Sequence, residues 1–278
     1  MSTYKELLQT AHKILKENEI ADAELDAWYL LAHVFRINRA DFFMHENEEA
    51  PKDQTQHYKE LITKRSSHLP LQYITGTQEF MGLEFEVDEN VLIPRQDTEL
   101  LVEEVLKVCK DKSVLDMCTG SGCIIISLSK LGSIKSAAAV DISQQALQVA
   151  NRNAKKHNRD INFIQSDLFE KVMGNYDIIV SNPPYIRSEE LLSLMPEVKD
   201  YEPKQALDAG PSGLIFYERI ISDFDKYLNP GGYIFLELGY DQGEAVSGML
   251  KKKGFIDIEI KKDFCDLDRL VYARKSSR

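Results

Sequence analysis

The chain has 278 residues and a net charge of −11, with 43% hydrophobic and 9% aromatic residues, an ordinary composition for a globular protein. Its length exceeds the ~100–150-residue mode of single domains, so two domains are expected. The acidic balance argues against a general nucleic-acid binder, whose affinity comes largely from Lys and Arg on phosphates.

No apolar run approaches the ~20 residues of a membrane-spanning helix. The opening Met1-Ser2-Thr3-Tyr4-Lys5-Glu6 lacks the basic and apolar stretches of a secretory signal. Cys109, Cys118, Cys123 and Cys265 form no CxxC pair and have no His-rich surroundings, so neither a disulfide framework nor a zinc site is expected. A reducing cytoplasm fits this usage.

Residues 1–75 read as helical. Leu7, Leu8, Ala11, Ile14 and Leu15 recur at helical spacing, as do Leu25, Trp28, Tyr29, Leu31, Ala32 and Phe35, with Asp22 placed to cap the second helix. A third helix opens after Pro51, spans Asp53 to Ser67, and carries Tyr58, Leu61 and Ile62 on one side. Residues 1–89 hold nine Lys and Arg against seventeen Asp and Glu, a balance of −8. One reading is a solvated face; the other is a docking domain for a basic protein surface.

After Pro70, Gln72–Gly76 and Met81–Val87 alternate apolar and polar residues, which predicts short strands or a hairpin within a connecting segment at 76–91. In the stretch Leu92-Ile93-Pro94-Arg95-Gln96-Asp97-Thr98, Pro94 ends the extended part and Asp97 or Thr98 can cap a helix running to about Lys110. Arg95 reads as a surface arginine or a partner of Asp97.

From Ser113 strands alternate with helices, the pattern of a parallel α/β sheet. Strands are predicted near 113–118, 136–141, 161–166, 176–181, 232–238, 255–262 and 269–274, with helices at 122–131, 143–157, 212–228 and 241–253. The loop from Lys262 to Asp268 is too short for a crossover helix, so the terminal strand is expected to run antiparallel to its neighbour.

Four strand ends carry chemistry. The first reads Asp116-Met117-Cys118-Thr119-Gly120-Ser121-Gly122. Its glycines let the backbone approach a ligand where a helix begins, but Ile125 stands where a dinucleotide fingerprint wants a third glycine. A carboxylate beside this turn suits a ligand bearing an ammonium better than a diphosphate. The second strand ends in Asp141, placed to accept from ribose hydroxyls or to cap the next helix, a role Ser143 can also fill. The third ends in Asp167-Leu168-Phe169, an acid and an aromatic able to flank a purine.

The fourth, Asp177-Ile178-Ile179-Val180-Ser181-Asn182-Pro183-Pro184-Tyr185, is an apolar strand stopped by two prolines. The prolines donate no backbone hydrogen bond, Asn182 supplies a side-chain acceptor, and Tyr185 supplies a ring. Together these can hold a planar –NH2 group, although Asn-Pro is also a common turn opener.

This pattern resembles the S-adenosylmethionine-dependent methyltransferases of the Rossmann-like class, and Asn182-Pro183-Pro184-Tyr185 resembles the motif of those that methylate planar amino or amide nitrogens. The likeness is closer to the protein-(glutamine-N5) methyltransferases that modify peptide chain release factors. It rests on Ile93-Pro94-Arg95 with Thr98-Glu99, on Glu202-Pro203 with Ala206-Leu207, and on Gly231-Gly232, Glu237, Gly239 and Gln242.

The resemblance implies an α/β fold: a Rossmann-like seven-stranded sheet with an antiparallel last strand over 92–278, and a small helical substrate-docking domain over 1–75. It implies transfer of a methyl group from S-adenosylmethionine to the glutamine of the release factor GGQ motif, with consequences for translation termination. Cofactor contacts are expected from Asp116, Cys118, Thr119, Gly120, Ser121, Gly122, Asp141, Asp167, Leu168, Phe169 and Asn182. Acceptor contacts are expected from Asn182, Pro183, Pro184, Tyr185 and Arg95, with Asn182, Pro183 and Tyr185 serving the chemistry. Cys118 departs from the family, which usually has glycine there, and its side chain falls near the methionine part of the cofactor. A class I release factor is the expected partner of a monomeric, cytoplasmic enzyme, with no metal, membrane or direct nucleic-acid contact. The alternatives are a methyltransferase of adenine amino groups in DNA or RNA, and a non-catalytic adenosyl-binding interaction subunit.

Overall fold

The computed structural model describes residues 2–277, which divide into two compact units. The first comprises the chain up to Gly76 together with Met195–Tyr201. Helix α1 (Tyr4–Glu17) opens with a capping box in which the Thr3 side chain accepts from the Glu6 N–H and the Glu6 carboxylate accepts from the Thr3 N–H. Its residues Leu7, Ala11 and Leu15, four apart, are buried. Helix α2 (Ala23–Phe35) begins after Asp22 as expected, but the Asp22 side chain makes no capping bond. Helix α3 (Arg39–His45), missed in the sequence, is announced by the Asn38/Asp41 capping box.

Helix α4 (Lys52–Ser66) follows Pro51, and α5 (Leu71–Thr75) replaces the strand expected at 72–76. Five alternating residues cannot distinguish a short strand from one helical turn. Here Pro70 leads into the turn, and Gly76 at φ 77° closes it by donating to the Gln72 carbonyl. Helix α9 (Pro196–Tyr201) belongs to this unit: Arg65, buried, donates to Asp26 at 2.7 Å and to Glu197 at 2.9 Å. The charge expected of the helical region lies largely elsewhere. Residues 1–75 hold nine basic and twelve acidic side chains, a balance of only −3. The other five acids fall between Glu79 and Glu89, where Glu84, Glu86 and Asp88 pair with Lys156 and Arg152.

The second unit runs from Thr77 to Leu194 and resumes at Glu202. Strands β1 (Thr77–Phe80) and β2 (Leu83–Glu86) form an antiparallel hairpin. Met81 and Gly82, at φ 53° and 69°, make its turn, so the second strand starts two residues later than expected. Buried Asn153 accepts from the Glu86 N–H and donates to the Glu86 and Ser121 carbonyls, fastening this hairpin beside the main sheet.

Helix α6 (Asp97–Leu106) is followed by β3 (Ser113–Met117), α7 (Cys123–Leu131), β4 (Ser136–Asp141), α8 (Gln144–Lys156), β5 (Asn162–Gln165) and β6 (Tyr176–Ser181). Then come α10 (Ile215–Asp223), β7 (Leu228–Glu237), α11 (Gly243–Lys252), β8 (Ile256–Lys262) and β9 (Asp268–Arg274). Two of these helices are shorter than the sequence suggested: α6 stops at Leu106, and α10 yields to a 3-10 turn at Phe224–Lys226.

The seven main strands lie in the order β5-β4-β3-β6-β7-β9-β8. Strands β3 to β7 pair in parallel, and β9 is antiparallel to both β7 and β8, as the short loop required. Alternate strand residues feed opposite cores. Leu115, Met117 and Ile179 pack with Tyr217, Ile220 and Val246 from α10 and α11, while Val114, Ile178 and Val180 pack with Leu101, Val102 and Ile125 from α6 and α7. Burial on both faces explains why these strands read as continuous apolar runs rather than alternations. Among the described residues no helix is long and apolar enough to cross a membrane.

Candidate active site

The carboxyl ends of β3, β4, β5 and β6 share one sheet edge, the edge at which open α/β sheets receive ligands. The turn after β3 takes left-handed backbone at Cys118 (φ 62°), Gly120 (54°) and Gly122 (80°). A side chain at Gly122 would press on Ile126 and Ala150, whereas a Cβ at Gly120 would meet no atom within 4 Å. Gly122 therefore permits close helix packing, and Gly120 leaves ligand space open. Cys118 bears a side chain in the same conformation, at ~1–2 kcal/mol for an L-residue.

Asp141 does not cap α8; Ser143 does, accepting from the Ala146 N–H at 3.1 Å. The Asp141 carboxylate instead accepts from the Gly120 and Ser143 N–H groups, both at 2.9 Å, which ties the first turn to the second strand end. Burial raises its pKa, and these backbone donors oppose the rise. Each oxygen keeps a lone pair for a further donor.

Around this edge lies a cleft of about 900 Å³, counting its open mouth. Cys118, Gly120, Asp141, Asp167, Leu168, Asn182 and Pro184 line it, as expected of the strand ends. Ile142 and Leu168 give it apolar sides. Residues that the strand-end argument did not find come from elsewhere: Asn90 to Leu92 ahead of α6, Gln205 and Ala206 in the loop after Glu202, and Phe216 and Arg219 on α10. Tertiary folding brings these to the cleft; Ala206, like Pro203 which also lines it, carries a sequence signal as part of the family landmark.

Several expected contacts are not cleft-lining. Asp116 is fully buried beneath the turn, where one carboxylate oxygen accepts the Thr119 hydroxyl at 2.6 Å and the other has no hydrogen-bond partner among the described residues. Burial pushes its pKa up to about 7. Thr119 and Ser121 are likewise buried and Gly122 is taken up by helix packing, so these four support the turn from behind.

Phe169 is not the aromatic wall. It is buried and stacked on Tyr227, with ring centroids 4.6 Å apart and planes within 8°. Leu168, at φ 47°, and Phe169 both belong to the core beneath the sheet edge, and of the two Leu168 also lines the cleft. The ring that reaches the cleft is Phe216. Asp167 lines the cleft but also pairs with Arg219 at 2.8 Å.

Asn182 projects at the end of β6, where its Nδ2 donates to Thr98 Oγ1 at 3.2 Å. Thr98 is thus not a helix cap: it is buried, and the residue preceding α6 is Gln96. Pro183 and Tyr185 lie outside the cleft lining, beyond Asn182. The Tyr185 hydroxyl is 3.5 Å from the buried Glu237 carboxylate, and burial raises the pKa of both groups. Gln242, buried, donates to the Tyr185 and Gly213 carbonyls and accepts from the Gly239 N–H and the Tyr217 hydroxyl. Arg95, partly exposed, does not pair with Asp97. It donates to Glu202 at 2.5 Å, while Asp97 approaches Arg269 at 3.4 Å. Glu202 also accepts the Ile93 N–H, so its buried carboxylate joins the loop before α6 to the cleft wall at Pro203.

Comparison with known proteins agrees with this arrangement. The PrmC N-terminal domain family matches residues 6–76, and the Methyltransferase small domain family matches residues 95–197. Over 98% of its length the chain is 39% identical to the release factor glutamine methyltransferase of Geobacter sulfurreducens, covering 96% of that protein. It is 41% identical to that of Clostridium acetobutylicum, over 97% of each chain. Among solved structures, the hMettl16 catalytic domain in complex with MAT2A 3'UTR hairpin 6 is similar with a TM-score of 0.59 at 17% identity, over 77% of this chain and 81% of that one. A ribosomal protein L11 methylase from Lactobacillus delbrueckii subsp. bulgaricus is similar with a TM-score of 0.51 at 25% identity, over 68% and 84% respectively. These two share the fold. The identity to the full-length relatives settles the rest: the chain belongs to the release factor glutamine methyltransferase family.

Proposed function

We propose that this protein transfers the methyl group of S-adenosylmethionine to the side-chain amide nitrogen of a glutamine in a peptide chain release factor, the glutamine of its GGQ motif. The observation that carries this reading is the Asn182 amide, held at the cleft by Thr98 beside a turn braced by Asp141.

The cleft residues fit the cofactor. The free lone pairs of Asp141 suit ribose hydroxyls, Ile142 and Leu168 offer apolar surface to a purine, and the open space at Gly120 admits the chain between them. When bound, the cofactor supplies a methyl group already activated by its sulfonium.

An amide nitrogen is a weak nucleophile because its lone pair is delocalised into the carbonyl. The task of the protein is therefore orientation. The Asn182 Oδ1 and the Pro183 carbonyl accept the two N–H groups of the glutamine and fix the nitrogen toward the methyl donor. The Tyr185 ring lies against the amide plane. These acceptors also stabilise the positive charge that grows on nitrogen before its extra proton leaves to water.

The helical unit supplies docking for the release factor. With its charge at only −3, the support for this role is apolar: Leu25 and Tyr29 on α2, and Phe43 and Met44 on α3, are each about half exposed or more. Phe43→Ser with Met44→Ser should lower kcat/KM for a whole release factor and leave a short glutamine peptide unaffected. Equal effects on both would remove the docking role.

The overall reading is tested by incubating the protein with labelled S-adenosylmethionine and a cell extract. Label in a release factor supports it, and label in nucleic acid, or in nothing, overturns it.

A further inference from the structure

The carboxyl edge of the sheet has two halves, with Asn182 between them. In the strand order β5-β4-β3-β6-β7-β9-β8, the cofactor cleft takes the ends of β5, β4, β3 and β6. Beyond β6 the edge continues with the end of β7 and, because β9 runs antiparallel to β7, with the loop joining β8 to β9. Three large apolar side chains stand exposed on this second half: Tyr240 after β7, and Leu267 and the fully exposed Phe264 in the β8–β9 loop. None of them lines the cleft. Exposed apolar residues are ordinary when scattered, but three around one strand end mark a contact surface.

The loop that carries Phe264 is held in place from within. Asp263 Oδ1 accepts from the Cys265 and Leu267 N–H groups at 2.8 and 3.1 Å, and the Asp263 N–H donates to the Leu267 carbonyl at 2.9 Å. Asp263 Oδ2 accepts from Arg269 at 2.9 Å. Arg269 in turn donates to the Leu238 carbonyl and approaches Asp97, each at 3.4 Å. Asp97 adjoins Thr98, the residue that holds the Asn182 amide. A short series of bonds therefore ties the Phe264 loop to the acceptor position.

We propose that Phe264, with Leu267 and Tyr240, forms a docking surface for the acceptor protein, and that its occupant is the segment of the release factor flanking the reactive glutamine. The proposal rests on the methyltransferase reading given above.

The direction of attack selects this occupant. The acceptor nitrogen approaches the methyl group from the side opposite the sulfur that it leaves, so cofactor and acceptor lie on opposite sides of that group. The cleft at the ends of β3 to β5 receives the cofactor, which leaves the β7 side for the acceptor. Tyr185, against which the glutamine amide is laid, reaches the same way, with its hydroxyl 3.5 Å from Glu237 at the end of β7. A chain that places its glutamine at Asn182 then continues over the β7 end and the β8–β9 loop. An aromatic side chain on a loop already fixed loses little freedom on contact, which suits it as an anchor.

The test uses the full chain. Phe264→Ser should raise KM about tenfold for a whole release factor and for a short peptide spanning the glutamine, with kcat and cofactor Kd within about twofold of wild type. Phe264→Leu should restore most of the loss. The peptide separates this surface from the helical unit, whose variants should leave the peptide unaffected. In parallel, the exposed thiol of Cys265, next to Phe264, reports contact through its alkylation rate, read by peptide mapping. Because thiol reactivity follows exposure, a saturating release factor should slow that alkylation about fivefold or more.

An unchanged KM for either acceptor in folded Phe264→Ser would overturn the proposal, as would Cys265 alkylation that the factor does not slow. Slowing that comes with enzyme concentration alone would assign the surface to a second copy of the chain and overturn it too. Alkylation needs no turnover. If the wild type methylates no release factor, the functional reading fails while the docking surface is still decided.

Discussion

Gln242 and Tyr185 lie 57 positions apart, yet the Gln242 Nε2 donates to the Tyr185 carbonyl at 2.9 Å. The same side chain donates to Gly213 and accepts from Gly239 and Tyr217, so one buried amide fixes the end of the Asn182–Tyr185 segment to β7 and α10. Truncation would leave the Tyr185 and Gly213 carbonyls and the Gly239 N–H short of a partner in a water-poor site, while the Tyr217 hydroxyl keeps the Glu237 carbonyl. At ~1–3 kcal/mol for each one left unsatisfied, Gln242→Ala should cost at least ~3 kcal/mol in urea unfolding. A loss below ~1 kcal/mol would mean that water or a rearranged loop replaces the amide.

Asp116 makes stability depend on pH in an unusual direction. Its folded pKa stands near 7 against an ordinary value of 3.8, so the folded state holds this proton more tightly than the unfolded state. Its contribution is full below pH ~4, is lost as the pH rises to about 7, and is level above that. The total is up to ~4 kcal/mol. Glu237 acts in the same sense. Asp116→Asn should therefore flatten the decline in stability between pH 5 and pH 8, as seen in denaturation midpoints on that interval, to about half the wild-type slope. An unchanged slope would mean that Asp116 stays ionised in the fold.

The cofactor side of the cleft is tested at Asp141. Asp141→Ala should lose ~1.5–3 kcal/mol of S-adenosylmethionine binding in calorimetry, the range for hydrogen bonds to a charged group. Because Asp141 also braces the Gly120 N–H, Asp141→Asn, which keeps one accepting oxygen, should retain part of that affinity. Full affinity in Asp141→Ala would reduce the residue to a brace for the turn.

Cys118 stands at φ 62°, a conformation that costs a side chain ~1–2 kcal/mol. Cys118→Gly removes that strain and adds chain entropy to the unfolded state, effects of opposite sign. The expected net result is a gain of up to ~1 kcal/mol in stability together with tighter cofactor binding, because the side chain lines the cleft. Weaker cofactor binding in the glycine variant would show that the thiol makes a favourable contact.

The parts of the site legible in the sequence are those whose position follows from local pattern. A parallel α/β sheet places its strand ends on one edge, so the sequence pattern alone gathers Gly120, Asp141, Asp167 and Asn182. What was not legible depends on a single dihedral angle or on long separations. The left-handed residue Leu168 lines the cleft while Phe169 is spent on a stack with Tyr227, and no composition rule foretells it. Arg95 finds Glu202 across 107 residues rather than its neighbour Asp97. Thr98 has the residue type and position of a helix cap, and only packing shows it serving Asn182 instead. The −8 carried by residues 1–89 divides into −3 on the helical region and −5 on the hairpin segment, a division that depends on where the chain leaves the helices, at Gly76.

The central claim is that Asn182 presents a release factor glutamine to the methyl donor. It is tested most directly by peptide mapping of a purified release factor after incubation with S-adenosylmethionine and either the wild type or Asn182→Ala, with cofactor affinity measured on both. The expected result is one added methyl group, on the GGQ glutamine, with the wild type. The variant should show a rate lower by at least about a hundredfold while keeping cofactor affinity within about threefold. Methylation at any other residue, or a variant whose rate and cofactor affinity fall together, would contradict the account.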